Sequence, residues 1–423
     1  MTTIVSNIIA GRKEKLLPFI DQAVVSGGNF FVCILLARSL GLEIFGEFTL
    51  AWLVVLFASS IHQAWLITPM YTFAPQKTGD ERSKYLDSLL VHQIVFSTAA
   101  ALLSFCFVGS AAFFYPEWDL NGVKVWLPIT VFAYLMYDFS RKLFYVEGIA
   151  KKSLMLDILV YSIQGSALIA ASYFSFLSLK STFIIVSISL VLPVLLFGRK
   201  MRFNFNRSVL LTTTKKHWEF AKWLIGTSLL QWISGNFFII IAGGLISPLA
   251  VGAIRILQNI IGVLHVLFLA IENYVPIRAV QIFDRDGLKG LGNYLKGITL
   301  KGSILTLLTS ICIAVFGKQI ITLLYGSEHL EYAYLLYGFA LLYVFVFIGT
   351  NLRFAIRTLE LTRSIFLAYL LSAIFSLLFA KTIIQSFGID GILLGLILTQ
   401  IIMQAYFIYS LRSKLYVLWK SST

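Results

Sequence analysis

The chain has 423 residues, of which 58% are hydrophobic and only 13% are charged, and its mean hydropathy is +0.86. Soluble domains carry about 25% charged residues, so this composition excludes a water-soluble globular protein and predicts a polytopic membrane protein. A formal charge of +14 would suit a nucleic-acid partner, but the positions of the basic residues exclude that interpretation.

Apolar runs of about 20 residues mark the predicted membrane crossings. They predict twelve helices, centred near Val25, Val55, Leu102, Ala133, Gln164, Leu190, Ser234, Leu264, Thr309, Tyr343, Ser372 and Leu398. With the N-terminus in the cytoplasm, all but six of the 34 Lys and Arg residues fall in the two tails or in loops on the cytoplasmic side of the membrane. The six exceptions are Arg38, Lys124, Lys180, Arg255, Lys318 and Lys381. This is the positive-inside pattern, so we expect both termini in the cytoplasm and no nucleic-acid partner.

The first apolar run begins near Leu16 and has no small-residue cleavage site after it, so we expect it to remain as the first helix. The three cysteines, Cys33, Cys106 and Cys312, all fall inside predicted spans. We expect them to be buried free thiols.

The tetrapeptide "GNFF" occurs at residues 28–31 and again at 235–238, in the first and the seventh predicted helix. An even number of spans separates the copies, as in parallel repeats related by an axis along the membrane normal. The sequence therefore predicts an all-α protein of two six-helix bundles around a central cleft. The expected divisions are an N-terminal bundle at 1–203, a cytoplasmic linker at 204–222 and a C-terminal bundle at 223–423.

Polar residues recur at helical spacing in the first and seventh helices. They are Gln22, Ser26, Asn29 and Cys33 in the first, and Thr227, Ser228, Gln231, Ser234 and Asn236 in the seventh. We expect Asn29 and Asn236 to face inward from equivalent helices. Contact with a substrate and hydrogen bonding between helices are both open as their role.

The eighth span has the most informative pattern. At about 100° per residue, one face carries Arg255, Gln258, Asn259, Gly262, His265, Glu272 and Asn273, and the opposite face is apolar. Because a mid-membrane Arg costs about 2.5–3.5 kcal/mol on insertion scales, we expect this stripe to line a wet cavity. The alternative is that Arg255 lies near the outer end and reaches the lipid headgroups.

Four acidic residues lie at the predicted cytoplasmic ends of spans: Asp21, Asp138, Asp157 and Glu272. Asp21 and Glu272 are the candidates for ion coupling through H⁺ or Na⁺. Such residues more often pair with bases, as Asp138 would with Arg141 or Lys142. At the expected inner mouth, Lys222 and Lys301 serve either as attractors of an anionic headgroup or as topological anchors.

Motifs for other chemistry are missing from the sequence. There is no Gly-rich phosphate loop at the start of a helix and no Cys or His spacing typical of a metal site. We therefore expect no cofactor, no metal and no enzymatic activity.

Four stretches resemble the polysaccharide flippases of the multidrug, oligosaccharidyl-lipid and polysaccharide exporter superfamily. "ILLARSLGLEIFGEFTLAW" (34–52) is similar to the first hairpin of the family, and "SPLAVGAIRILQNIIGV" (247–263) to its eighth helix. "ITLLYGSEHLEYAYLL" (321–336) and "FGIDGILLGLILTQ" (387–400) resemble its later hairpins. The likeness extends over the whole chain, and its motifs are diffuse.

The resemblance implies a flippase of the O-antigen branch in a bacterial inner membrane. Such a protein moves an undecaprenyl-diphosphate-linked oligosaccharide, a repeat unit of O-antigen, capsule or exopolysaccharide, from the inner to the outer leaflet by alternating access. Arg255 is then the implied cavity cation, Arg38 a corner residue, and a polysaccharide polymerase or chain-length regulator a partner beside the membrane lipids. The alternatives are an ion-coupled multidrug antiporter of the same superfamily and an integral-membrane polysaccharide polymerase.

Overall fold

The computed structural model describes residues 2–114, 118, 120–197 and 206–421, with side chains at 17–110, 118, 120, 122–196 and 206–414 except Val266, Leu267, Ala270 and Asn273. This part of the chain is helical and contains no strand, which confirms the all-α prediction. The helices are α1 (Thr2–His62), α2 (Thr68–Phe73), α3 (Gly79–Phe114), α4 (Trp126–Val146), α5 (Ala150–Tyr173), α6 (Leu179–Phe197), α7 (Arg207–Leu245), α8 (Pro248–Ile261), α9 (Leu264–Val315), α10 (Gly317–Tyr325), α11 (Leu335–Thr358) and α12 (Thr362–Ser421).

Eight helices in the described residues are long and apolar enough to cross a membrane. Helix α4 is not among them because its 21 residues include Asp138, Arg141 and Lys142. Helices α1, α9 and α12, with 61, 52 and 60 residues, are longer than one crossing needs, and each bends at a glycine. Dividing these three at the bend, and joining α8 to the first arm of α9, gives twelve passes at the predicted positions.

The bends in the three long helices are at Gly41, Gly287 and Gly388. Their φ angles are +78°, +64° and +56°, a region that residues with a Cβ adopt only at a cost. A single glycine therefore replaces a loop between two consecutive passes. The first bend lies in the "ARSLGLEIFG" stretch after the first apolar run.

The chain separates into two compact units, Met1–Ile225 and Gly226–Thr423. The division lies within α7, so the beginning of this helix belongs to the first unit and the rest to the second. In the predicted linker, the residues from Arg207 onward are helical, and residues 204 and 205 lie outside the described residues.

The beginning of α7 is attached to α3 by polar contacts. The Tyr85 hydroxyl lies 2.9 Å from Nε2 of His217, and Nε2 of His92 lies 2.7 Å from Oγ1 of Thr214. Nδ1 of His217 also lies 3.2 Å from the Trp65 carbonyl oxygen. Most of the segment that the sequence predicts as a linker is thus a helix packed within the first unit.

Each unit has its own apolar cores. In the first unit, Leu89 and Phe139 belong to a core built from the π-helical turn Gln63–Ile67, α2, α3 and α4. In the second unit, Ile356 and Phe407 belong to a core of α11 and α12. Within a membrane such contacts stabilise through packing, since lipid is as apolar as the protein interior.

The cysteines only partly follow the prediction. None of the three forms a disulfide in the described part of the chain, but Cys106 and Cys312 are exposed and Cys33 is half-buried, so the prediction of buried thiols is wrong for Cys106 and Cys312. They share outer helix faces with Leu103 and Leu308, which are 72% and 62% exposed. On a face that meets lipid, a thiol behaves as a small apolar group and needs no burial within the protein.

The eighth pass is interrupted. Helix α8 ends at Ile261 and α9 begins at Leu264, and the His265 amide donates to the Gly262 carbonyl oxygen, three residues back, at 2.9 Å. The polar stripe from Arg255 to Asn273 assumes one continuous helix, whereas the structure has a turn at Gly262 and Val263. The angular positions therefore hold only within each segment.

Candidate functional site

In the first unit, one guanidinium lies between two buried carboxylates. Arg141 of α4 donates from Nε to Oδ2 of Asp157 in α5 at 2.7 Å and from Nη2 to Oδ2 of Asp21 in α1 at 2.9 Å. The side chains of Arg141, Asp157 and Asp21 are 13%, 0% and 3% exposed. Charge-assisted hydrogen bonds of this kind are the strong ones in proteins, so three passes are joined at this point.

Neutral donors complete the arrangement. The Tyr145 hydroxyl donates to Oδ2 of Asp21 and the Tyr137 hydroxyl to Oδ1 of Asp157, both at 2.6 Å. Oδ1 of Asp21 is buried and has no hydrogen-bond partner among the described residues. A buried carboxylate oxygen normally has a partner, so this oxygen is a position in the cluster that could hold a proton or a cation.

A third buried acid, Asp138, lies three residues before Arg141 on α4. Its Oδ2 accepts from Lys142 Nζ at 2.8 Å and from Gln63 Nε2 at 2.9 Å. Nδ1 of His62 is 3.4 Å from the same oxygen, and Nε2 of His62 lies 2.6 Å from Oε1 of Gln93. Gln63 begins the π-helical turn after α1, and such turns often occur at functional sites.

The sequence predicted that Asp138 pairs with Arg141 or with Lys142. Lys142 is the partner that the structure gives, whereas Arg141 binds Asp21 and Asp157. The coupling candidate Asp21 is thus buried in an ion-pair cluster. The other coupling candidate, Glu272, lies on an exposed part of α9 in the second unit.

Arg255, the predicted cavity cation, is a half-buried residue of α8. It is close enough to Tyr343 of α11 to interact with it electrostatically. The Tyr343 hydroxyl also lies 3.3 Å from Nε2 of His265 at the beginning of α9. Arg255 and His265, which the sequence placed on one stripe, thus share the neighbour Tyr343 across the interruption of the eighth pass. Among the described residues, Arg255 forms no ion pair with a carboxylate.

The other predicted site residues divide into bonded and exposed ones. Asn259 Nδ2 donates to the buried Tyr325 hydroxyl at 2.7 Å, and Asn236 Nδ2 donates to the Trp232 carbonyl oxygen of its own helix at 2.9 Å. The Asn259 contact joins α8 to α10, whereas the Asn236 contact lies within α7. Gln258 is half-buried, and Asn29, Gln231 and Lys301 are exposed. Asn29 belongs to the first unit, and the others belong to the second.

The second unit has a counterpart of Arg141. Arg141 stands five residues before the end of α4, and Arg353 stands five residues before the end of α11. Arg141 binds Asp157 sixteen residues later, and Arg353 Nη1 donates to the Tyr369 hydroxyl, also sixteen residues later, at 3.0 Å. The two halves therefore repeat an arginine and its acceptor on corresponding passes, and the second half has a neutral acceptor where the first has a carboxylate.

Arg353 also borders a cavity. A space of 280 Å³ in the second unit is lined by Glu272 and Pro276 of α9 and by Arg353, Phe354 and Arg357 of α11. Arg353 and Arg357 were missed as site residues because their position near the end of a pass explains them as topological anchors. The equal spacing of the two arginine–acceptor pairs is the sequence signal that could have revealed Arg353.

Comparison with known proteins agrees with this architecture. Residues 224–382 match the model of the MatE family, and nearly all of them lie in the second unit. Among curated proteins, none matches the sequence.

Solved structures of low sequence identity share the fold over almost the whole chain. An inward-facing multidrug resistance MATE family transporter of the MOP superfamily is similar with a TM-score of 0.70 at 13% identity, over 97% of this chain and 96% of that one. The lipid II flippase MurJ, in an inward closed conformation, has a TM-score of 0.68 at 14% identity, over 94% and 87%. A MOP superfamily transporter from Pyrococcus furiosus, described as having a binding pocket of reverse polarity, has a TM-score of 0.53 at 12% identity, over 95% and 94%.

The fold is therefore that of the MOP superfamily transporters, with about twelve membrane-crossing helices. Both drug transporters and a lipid flippase have this fold, so the fold alone does not identify what this chain binds.

Proposed function

We propose that this protein is a flippase for an undecaprenyl-diphosphate-linked oligosaccharide, which it moves from the inner to the outer leaflet of a bacterial inner membrane by alternating access. The observation that carries the proposal is Arg255. It is a half-buried cation within a predicted span, and it forms no ion pair among the described residues. A guanidinium within a membrane span is energetically costly, which makes Arg255 a candidate functional residue. A diphosphate is an anion that a guanidinium binds well.

The amphiphilic substrate suits such a membrane protein. A lipid-linked oligosaccharide has a hydrated head, a diphosphate and an apolar tail, so the head needs polar contacts while the tail stays in lipid. We assign the sugar contacts to His265 and to the amides that the sequence singled out, which are Asn29, Gln231, Asn236, Gln258 and Asn259. We assign the diphosphate contacts to the basic residues Arg255 and Lys301.

For ion coupling we propose Asp21 and Glu272. The unpartnered Oδ1 of Asp21 supports the first assignment, because a proton or Na⁺ there would weaken the pull of Asp21 on Arg141. The exposed position of Glu272 next to Arg353 and Arg357 supports the second. A polysaccharide polymerase or chain-length regulator would receive the exported unit.

An ion-coupled multidrug antiporter is the second candidate. The whole-chain similarity to a multidrug resistance transporter favours it, as does the buried acidic cluster around Asp21, which suits an ion-driven exporter. An organic cation as cargo would be repelled by Arg255, whereas an anionic lipid would be attracted.

Arg255 provides the test. Arg255→Ala is expected to reduce export about tenfold to a hundredfold, the equivalent of losing one charge-assisted hydrogen bond of about 1.5–3 kcal/mol. Arg255→Lys keeps the charge and should retain part of the activity. The measurement is the amount of lipid-linked repeat unit that accumulates on the cytoplasmic face, at equal protein level, with the exposed Lys318→Ala as the matched control.

Two results would contradict the proposal. Normal export in both Arg255 variants removes this residue from the mechanism. Unchanged lipid-linked sugar in a deletion strain that becomes sensitive to cationic drugs identifies the antiporter instead.

A further inference from the structure

The cavity between α9 and α11 presents two guanidiniums on one side. Arg353 and Arg357 are one helical turn apart on α11, so their side chains project from the same face. Arg353 is half-buried and Arg357 is exposed. Neither forms an ion pair with a carboxylate among the described side chains, in contrast to Arg141.

We propose that this cavity is a second anion subsite and that it holds the diphosphate of the lipid-linked substrate through Arg353 and Arg357. The inference rests on the proposed function and adds to it a site separate from Arg255. A volume of 280 Å³ is at the small end of ligand pockets, which span about 300–1,000 Å³. It suits a diphosphate and is too small for an oligosaccharide.

Arg353 is held in place by neutral groups. Nη1 donates to the Tyr369 hydroxyl at 3.0 Å and Nη2 to Oγ1 of Thr350 at 2.9 Å. Both acceptors orient the guanidinium without neutralising its charge, and an Arg has five N–H donors, so further donors remain for a ligand. A fixed guanidinium loses less conformational entropy on binding than a mobile one.

Phosphate is the anion that this arrangement favours. Guanidinium forks match the geometry of phosphate oxygens in bidentate contacts, and two forks can engage the two phosphoryl groups of a diphosphate. A carboxylate would use only one of them. The apolar ring of Phe354 between the two arginines on α11 completes a wall that an isoprenoid tail tolerates.

Glu272 opposes the anion from the α9 side of the cavity. Its carboxylate would repel a phosphate and compete with it for the two guanidiniums. The subsite therefore predicts effects of opposite sign: neutralising an arginine weakens phosphate binding, and neutralising Glu272 strengthens it. A residue that only supports the fold would weaken binding whichever way it is changed.

The experiment measures binding of undecaprenyl diphosphate to the full-length protein in detergent by native mass spectrometry. Undecaprenol and inorganic pyrophosphate serve as competitors that carry only the tail or only the anion. Arg357→Gln should weaken binding about tenfold to a hundredfold, Arg357→Lys less, and Glu272→Gln should strengthen it severalfold. Arg363→Gln removes an exposed arginine that does not line the cavity and is the matched control.

Each outcome decides a separate point. Competition by pyrophosphate and not by undecaprenol supports an anion subsite for the diphosphate, and the reverse overturns it. Equal binding by the Arg357→Gln and Arg363→Gln variants also overturns the subsite while leaving the flippase proposal intact, because wild-type binding persists. A wild-type protein that binds no undecaprenyl diphosphate refutes the substrate class together with the subsite. Since Arg357 is exposed, its replacement leaves the packing of α11 unchanged, and a thermal unfolding curve checks this.

Discussion

Replacing Arg141 by Gln removes the cation from between two carboxylates that have no access to water. The Asp157 side chain is 0% exposed and that of Asp21 is 3% exposed. Breaking a buried ion pair by removing one partner costs about 3–5 kcal/mol, because the remaining charge is left uncompensated. We expect Arg141→Gln to reduce the free energy of unfolding by that amount, since two carboxylates lose their cation at once.

The measurement is SDS-induced unfolding in mixed micelles, followed by circular dichroism. Arg285→Gln is the matched control: Arg285 Nη2 is also 2.7 Å from an aspartate oxygen, in Asp286, but the two side chains are 73% and 39% exposed. Because exposed pairs are screened by solvent, this variant should unfold like the wild type.

A triple variant separates lost charge compensation from lost packing. Arg141→Gln combined with Asp21→Asn and Asp157→Asn leaves a neutral network of similar shape, and we expect it to recover most of the stability, since neutral replacements of buried pairs are often tolerated. An Arg141→Gln protein within about 1 kcal/mol of the wild type would refute the view that this cluster is buried and charged. A triple variant as unstable as the single one would show that packing, not charge, is responsible.

Two further substitutions test individual contacts. Gly28→Ala places a Cβ against the Tyr161 ring, whereas Gly235→Ala, at the same place in the second "GNFF", meets nothing within 4 Å. The first substitution should lower the free energy of unfolding by about 1–3 kcal/mol through overpacking and raise the amount of aggregated protein on heating. Equal melting curves for the two variants would contradict the packing of Gly28 against Tyr161. Gln93→Leu leaves Nε2 of the fully buried His62 without its 2.6 Å partner. The same unfolding assay should therefore show a free energy of unfolding that is lower by about 1–3 kcal/mol. An unchanged unfolding midpoint would mean that another group forms a hydrogen bond with the imidazole.

The membrane crossings were predictable because lipid imposes a simple condition. A crossing needs about 20 apolar residues with all backbone groups bonded internally, and that condition leaves a direct trace in the sequence. Even α4 was placed correctly, although it carries Asp138, Arg141 and Lys142, since its apolar first half extends over several turns.

Side-chain contacts between residues distant in the sequence could not be predicted in this way. Helical spacing relates Asp138 to Lys142, four residues away, and this pair was one of the two that the sequence predicted. Asp21 and Arg141 are 120 residues apart, and Asn259 and Tyr325 are 66 apart. Only the packing of helices brings these residues together, and no local period encodes it.

The repeated tetrapeptide also shows that a local sequence match does not predict the surroundings of a residue. Identical letters mark equivalent helices, but Gly28 lies against an aromatic ring and Gly235 does not. The following phenylalanines differ as well, since Phe31 is 44% exposed and Phe238 is fully buried. A local match therefore locates a helix without defining what surrounds it.

The two arginine–acceptor pairs have a consequence for how the two halves of one chain can diverge in sequence. In a symmetric dimer of identical half-length subunits, an aspartate in the place of Asp157 would occur twice, and both guanidiniums would be neutralised together. Within one polypeptide, the position of Tyr369 can differ from that of Asp157, so Arg141 is paired with a carboxylate while Arg353 is held by a neutral hydroxyl. Fusion of the halves thereby permits an asymmetry of charge that symmetry would forbid.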